Sequence, residues 1–524
     1  MLNAIVHAVR LVRVGFVLAR EGAFGLVDPG ELPALPRLGL WLARRIERPG
    51  AGDNAERLAK ALTRLGPSYV KFGQFLATRP DVVGVRVARD LESLQDRMPP
   101  FPRSEAEAII SASFGRPLSA VFSSLSDPMA AASIAQVHKA TVAGPDGERT
   151  VAVKVLRPGV RARFRRDLAA MAFAASTLER FFPEIRRLRP VGVVETLARS
   201  VTMEMDLRLE AAALSEMAEN TRDDPDFRVP TVEWERTARD VLTLEWIDGI
   251  PLNALDQIEA AGHDRVALGA IVIQSFLRHA LRDGFFHADM HPGNLFVDPQ
   301  GRVCAVDFGI TGRLGPKERR FLAEILLGFI TRNYGRVAEV HFEAGYVPAS
   351  HSVEDFAQAI RAVGEPIHDR TADQISMAKL LTLLFEITAL FDMRTRTELV
   401  MLQKTMVVVE GVGRNLDPRL DMWKTAEPVV REWIERNLGP RGRIEDAGRG
   451  AVAFAAMLGQ VPALVGRAER LVGALEEAAE KGFPLAPESV GAIGRAEARR
   501  ARAGHAALWV IAAILLAMLV RFWH

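Results

Sequence analysis

Hydrophobic and polar positions along the chain change period several times. From Asn54 to Phe75 apolar side chains recur at helical spacing, with one interruption at Leu65–Ser68, "LGPS". Pro67 there suits the first turn of a second helix. Between about Phe122 and Val155 the period shortens to two. Ser133–Val142 ("SIAQVHKATV") and Thr150–Leu156 ("TVAVKVL") alternate around the turn-rich Ala143–Arg149 ("AGPDGER"), which predicts a hairpin. A helical pattern returns over Val191–Asn220. Strands are expected near Val229–Trp234 and Val241–Trp246, then a helix from about Ala267 to Arg282. Leu295–Val297 ("LFV") and Val303–Val306 ("VCAV") flank "DPQG" as a second hairpin, and beyond Pro316 the pattern is helical almost throughout.

The two termini differ. Met1–Arg20 carries Arg10, Arg13 and Arg20 within its apolar run and lacks a small-residue cleavage site, so it is not a signal peptide. It reads as an amphipathic helix, suited to packing on its own domain or to lying on a membrane. From Ala506 to Val520 every residue is apolar. That run is shorter than the roughly 20 residues of a spanning helix, but Ala503, Gly504, Phe522 and Trp523 extend it and Arg521 can snorkel. A membrane anchor is expected at 503–523. Arg495, Arg499, Arg500 and Arg502 precede it and place the bulk of the chain on the cytoplasmic side. Ala451–Val465 is apolar but holds Gln460 and Pro462, and reads as amphipathic.

Composition narrows this picture. The 524 residues suffice for two or three domains, and a net charge of +2 is too balanced to imply nucleic acid as a partner. The one cysteine, Cys304, excludes an intrachain disulfide and sits in an apolar run as core.

The chemistry concentrates in Phe285–Gly312, "FFHADMHPGNLFVDPQGRVCAVDFGITG". Phosphoryl transfer needs a carboxylate for the acceptor, a carboxamide and a second carboxylate for magnesium, and a lysine for the phosphates. Kinases space them as Asp, four residues, Asn, a hairpin and Asp-Phe-Gly. Here Asp289 precedes Asn294, and Asp307-Phe308-Gly309 follows the hairpin. Lys154 ends Val151-Ala152-Val153-Lys154, the expected lysine strand. His287 and His291 lie four apart, but with no third soft ligand they read as loop bracing. One kinase part is missing. Where a glycine-rich loop would stand, the chain has Pro128-Met129-Ala130-Ala131-Ala132-Ser133, and alanines restrict φ.

Lys71-x-Gly-Gln74 with "FLATRPDVV", "PMAAASIAQVHKA", "VAVKVLRPG" and "HADMHPGN…DFG" together resemble the UbiB family, atypical kinase-like proteins of ubiquinone biosynthesis. The similarity spans roughly Ala55 to Arg313, with a weaker helical continuation to about Asn437. It implies an α+β, two-lobed protein-kinase-like fold with a helical N-terminal extension and a C-terminal hydrophobic helix. The expected division is an extension at 1–115, a kinase-like domain at 116–437, a helical linker at 438–502 and the anchor. It also implies ATP and Mg2+ as cofactors, ATPase activity and little ordinary protein phosphorylation. Expected partners are membrane lipids, quinone-precursor phenols and other proteins of ubiquinone biosynthesis, at the cell inner membrane.

Carried onto this chain, the resemblance gives Lys154 to the phosphates and Asp289 to the catalytic loop. Asn294 and Asp307 would bind magnesium, and Ala130, Ala131, Ala132 and Ser133 would form the nucleotide loop. Lys71 and Gln74 would reach the site from the extension. Glu204 and Glu210 point about 120° apart on one helix, so one would pair with Lys154 and the other with Lys71, in an order left open. Adenine would meet backbone at Glu245 and Trp246, whose side chains would matter little. Two other readings remain: a small-molecule kinase of the aminoglycoside or choline type, and a silent nucleotide-binding scaffold. Lys71–Gln74 and the alanine run argue against the first, and the intact Asp289, Asn294, Asp307 and Lys154 against the second. No flavin, haem or iron motif supports direct hydroxylation.

Overall fold

In the computed structural model the described residues are 2–26, 34–48, 54–77, 98–144, 147–181, 189–367 and 397–439, with a few isolated positions between them. Ala451–Val465, the anchor at 503–523 and nearly all of the expected linker lie outside the described residues. No described helix is long and apolar enough to cross a membrane.

The extension is helical: α1 (Leu2–Arg20), α2 (Ala34–Arg45), α3 (Asn54–Leu65), α4 (Pro67–Ala77) and α5 (Arg103–Phe114). The break at "LGPS" occurs where expected. Gly66 takes φ 104°, and a Cβ there would sit 2.0 Å from Arg163 Nη2, so the turn is both left-handed and filled. Arg163 also donates to the Leu65 carbonyl at 2.8 Å, and Ser68 to Asp167 at 2.7 Å. These contacts seat α4 on α6 (Val160–Phe181).

β1 (Ser124–Ala131), β2 (Ala135–Gly144), β3 (Gly147–Leu156) and β5 (Val241–Glu245) form an antiparallel sheet in the order β1-β2-β3-β5. The alternation sorts its faces. Val151, Val153 and Val155 pack with Ile110 of α5 and Val142, which leaves Ala152 and Lys154 on the opposite face. α7 (Pro190–Glu204) and α8 (Leu207–Asn220) follow. The helix expected across Val191–Asn220 is therefore two. Asp206 turns extended at φ −114°, caps α8 by accepting from the Arg208 amide, and lets the Leu207 amide reach the Arg239 carbonyl at 3.1 Å.

A second sheet runs β4-β9-β8-β6, from β4 (Phe227–Arg228), β6 (Ile250–Pro251), β8 (Leu295–Val297) and β9 (Val303–Ala305). The strand expected at Val229–Trp234 shrinks to one bridge, Val232 to Leu244, and Trp234–Arg236 coils into a 3-10 turn. Pro230 lacks the amide a ladder needs. α9 (Leu255–Ala260) leads to α10 (Arg265–Arg278), which ends four residues before its expected limit in a π-helical turn, His279–Asp283. β7 (Phe285–His287) pairs with β10 (Thr311–Arg313). The remaining helices are α11 (Pro316–Ile330), α12 (Tyr334–Glu343), α13 (Val353–Gly364), α14 (Thr397–Leu416) and α15 (Met422–Leu438). The largest core joins α4, α7, α8, α10, the hairpin strands and α14.

Candidate active site

Lys154 points from β3 into a cluster of acids. Its Nζ lies 2.8 Å and 3.0 Å from the two oxygens of Glu210 on α8, and 3.0 Å from Oδ1 of Asp307. Burial works to lower the lysine, but Asp307 and Glu210 outweigh it and push its pKa up, so it stays charged. Burial would raise Asp307 too. The Lys154 charge and hydrogen bond, with Lys71 adding its charge, hold that carboxyl well below the usual carboxylate range. Burial pushes Glu210 up to about 7 against the pull of Lys154, with Asp307 and Glu204 adding repulsion.

Lys71 takes the other glutamate. Its Nζ is 2.8 Å from Glu204 Oε2, and both side chains are 11% exposed. The open question is thus resolved: Lys154 pairs with Glu210 and Lys71 with Glu204. The break at Asp206 is the reason the 120° argument does not apply, because the two acids stand on separate helices. Gln74 is half-buried one turn beyond Lys71. Among the described residues no hydrogen bond joins it to the Lys154 cluster.

The catalytic-type loop is braced internally. The Asp289 amide donates to His287 Nδ1 at 3.0 Å, so His287 Nε2 carries the proton and donates to the Val306 carbonyl at 3.0 Å. Burial keeps this ring neutral. It packs on Phe308, whose ring centroid is 4.5 Å away. His291 Nδ1 accepts from the Gly293 amide, which is local structure as expected. Asn294 donates its carboxamide nitrogen to the Asp289 carbonyl at 3.1 Å, which leaves its oxygen to offer a cation. Asp307 sits at φ 61°, strained for a non-glycine residue, with 44% of its side chain exposed. The Asn294 oxygen and the Asp307 carboxylate are hard oxygen donors of the kind magnesium prefers, and would hold it if it binds here. Among the described residues no three His, Cys, Asp or Glu side chains converge on a metal position. Cys304 is buried and unpaired with another cysteine, as core.

The alanine run departs from expectation. Ala130 and Ala131 belong to β1, opposite Val137 and Gln136, and the turn itself is Ala132–Ile134. None of its residues has positive φ, so no glycine is required. Its carbonyls are pinned: Ala131 accepts from the Met98 amide and Ala132 from Arg157 Nε at 2.8 Å. Ser133 is fully buried. At the hinge, the Glu245 amide already donates to Thr231 and the Trp246 amide to Thr150. Glu245's carboxylate also matters. It accepts from Arg228 at 2.9 Å, and Arg228 in turn ties the hinge to Asp298 in the turn between β8 and β9. Arg157, just after β3, and Arg228, at the end of β4, were missed because neither has a distinctive spacing.

Residues 93–341 match the ABC1 atypical kinase-like domain, and residues 360–421 the UbiB helical domain. The chain is 41% identical over 443 residues to the probable protein kinase UbiB of Marinobacter nauticus, covering 83% of this chain and 80% of that protein. The chain belongs to the UbiB family. Rv3197 of Mycobacterium tuberculosis, solved as a complex with erythromycin, is 27% identical, with a TM-score of 0.46 over 78% of this chain and 100% of that one. UbiB membership and the braced Asp289 loop agree on a kinase-like protein.

Proposed function

We propose that this UbiB-family protein hydrolyses Mg-ATP in the Lys154–Asp307 cleft, at a membrane, in support of ubiquinone biosynthesis. The observation that carries the reading is the three-way contact of Lys154 with Glu210 and Asp307, beside a loop that fixes Asp289 and Asn294. A bound Mg-ATP supplies the phosphoryl group. Lys154 would offset phosphate charge, Asp307 and Asn294 would give oxygen to the metal, and Asp289 would orient the acceptor and take its proton. By the family resemblance Lys71, paired with Glu204, would cover the place where a protein substrate would dock, which favours water or a small phenol over a peptide. Purified full-length protein should turn over ATP only with Mg2+. Nucleotide binding without turnover would support the scaffold reading instead.

Two features support the membrane assignment. The apolar 503–523 segment is one. The other is the outer face of α1 and α2, where Val9, Val12, Phe16, Trp41 and Leu42 are exposed among Arg13, Arg44 and Arg45. Apolar side chains flanked by arginine suit an anionic lipid surface. Deleting 503–523 should weaken flotation with anionic vesicles. Val9→Glu with Val12→Glu should weaken it further.

A further inference from the structure

The backbone of the catalytic-type loop can be accounted for group by group. The Ala288 amide donates to Ile310, the Asp289 amide to His287, and the Asp289 carbonyl accepts from Asn294. The Val306 amide donates to Asn294. Every one of these partners lies within Phe285–Gly312. The Ala288 carbonyl, directly before Asp289, is different. Its residue is buried at 5%, and its donor is the hydroxyl of Thr405 at 3.2 Å, from the middle of α14. Thr405 is fully buried and shares its one proton with the Met401 carbonyl of its own helix at 2.8 Å. That second carbonyl already accepts from the Thr405 amide in the helix ladder. Buried carbonyls are costly to leave unpaired.

α14 has a defined seat. It crosses α10 where both helices carry glycine. A Cβ on Gly269 would stand 3.3 Å from the Gly413 carbonyl, and one on Gly413 would stand 3.4 Å from Ile273 and 3.6 Å from the Gly269 carbonyl. α10 runs through the π turn into β7 and so to Asp289. The crossing therefore holds α14 in register with the loop it touches.

We propose that Thr405 is a positioning residue for Asp289, and that the helical segment after the kinase-like domain thereby forms part of the active site. Its hydroxyl fixes the peptide plane between Ala288 and Asp289, and with it the direction of the Asp289 carboxylate. This rests on the reading of Asp289 as the catalytic-loop aspartate. Lys154 and Asp307 stand on other elements, so nucleotide affinity is left largely to them.

The test compares full-length Thr405→Val, which keeps the shape and deletes the hydroxyl, with Thr405→Ser, which keeps the hydroxyl. One net hydrogen bond lost corresponds to a roughly fivefold effect. Thr405→Val should lower kcat for Mg-ATP hydrolysis about fivefold, leave KM for ATP within about twofold, and speed amide hydrogen exchange at Ala288 and Asp289. Thr405→Ser should stay near the parent in all three. Unchanged kcat and exchange in Thr405→Val would overturn the proposal, as would an equal loss in Thr405→Ser. If the parent protein itself hydrolyses no ATP, the ATPase reading fails, and the exchange rates alone still decide whether Thr405 holds the loop.

Discussion

Two lysine–glutamate pairs stand close together, and they do different things. Lys154–Glu210 and Lys71–Glu204 have the same 2.8 Å separation and similar burial. The first bridges β3 and α8 inside the kinase-like cleft, and Lys154 has a third partner in Asp307. The second joins the extension helix α4 to α7. Salt-bridge geometry alone would not separate them. Position does: one lysine also contacts the aspartate of Asp307-Phe308-Gly309, whereas the other latches the extension helix α4 to α7. Under the proposed function, it is the addition of Asp307 that would make the first pair part of a reaction centre.

The sharpest way to break this distinction is to remove the third partner. Asp307→Asn should lower Mg-ATP turnover about a hundredfold or more, because it withdraws a charge aimed at the metal. Lys154 keeps Glu210, so circular dichroism and the unfolding midpoint should change little. Unchanged turnover would make the two pairs equivalent and end the chemical reading of the cleft.

Next in size is the latch. Lys71→Ala should leave ATP hydrolysis within about tenfold of the parent while autophosphorylation rises from near background, because the cleft opens to protein side chains. Glu204→Gln should do the same, and the double variant should be no worse than either single, since both remove one contact. Phosphate incorporation from labelled ATP measures this. Additive effects would show that Lys71 acts on nucleotide directly rather than as a latch.

Much of this was legible in the sequence where the signal is local. Asp289, Asn294 and Asp307 lie within twenty residues, and the turns on either side fix their hairpin without help from elsewhere. The assignment of Glu204 and Glu210 was not legible, because apolar spacing runs on through Met205. The one cue to the break was Asp206, a good N-cap that also fits a helix interior's polar face. Thr405 had no cue at all. Its partner is 117 positions away, and a threonine in an apolar helix looks the same whether its hydroxyl bonds its own helix or a neighbour. The alanine run was legible only in part. It stood where a glycine loop belongs, but continued pairing with β2 makes its first half strand.

A third intervention acts on how the latch helix is aimed. Gly66→Ala places a side chain at φ 104° and against Arg163. It should cost about 2 kcal/mol of stability. The loss should concentrate in α3 and α4, read as faster hydrogen exchange there than in β7–β10. A uniform loss across both regions would mean that the extension and the cleft do not unfold as separable parts.

The smallest expected effect separates the pairs by pH. Glu210 is pushed up to about 7, whereas no comparable rise attaches to Asp307, which is held low. A carboxyl raised in the folded state binds its proton more tightly folded than unfolded. Its contribution therefore makes the protein more stable as pH falls from above 7 toward the ordinary carboxylate range. Three buried histidines, His138, His279 and His287, and the partly buried His341 are lowered mainly by desolvation and act in the opposite sense below about pH 6.5. The readout must be a difference. Urea unfolding of the parent and of Glu210→Gln at pH 8 and pH 6.5 cancels the histidines, which both proteins share. The parent should gain stability relative to Glu210→Gln over that interval. Glu204→Gln, which removes one of the charges repelling Glu210, should show part of the parent's gain over the same interval. A parent whose pH dependence matches that of Glu210→Gln would place Glu210 in the ordinary carboxylate range and remove burial as a force on its pairing with Lys154.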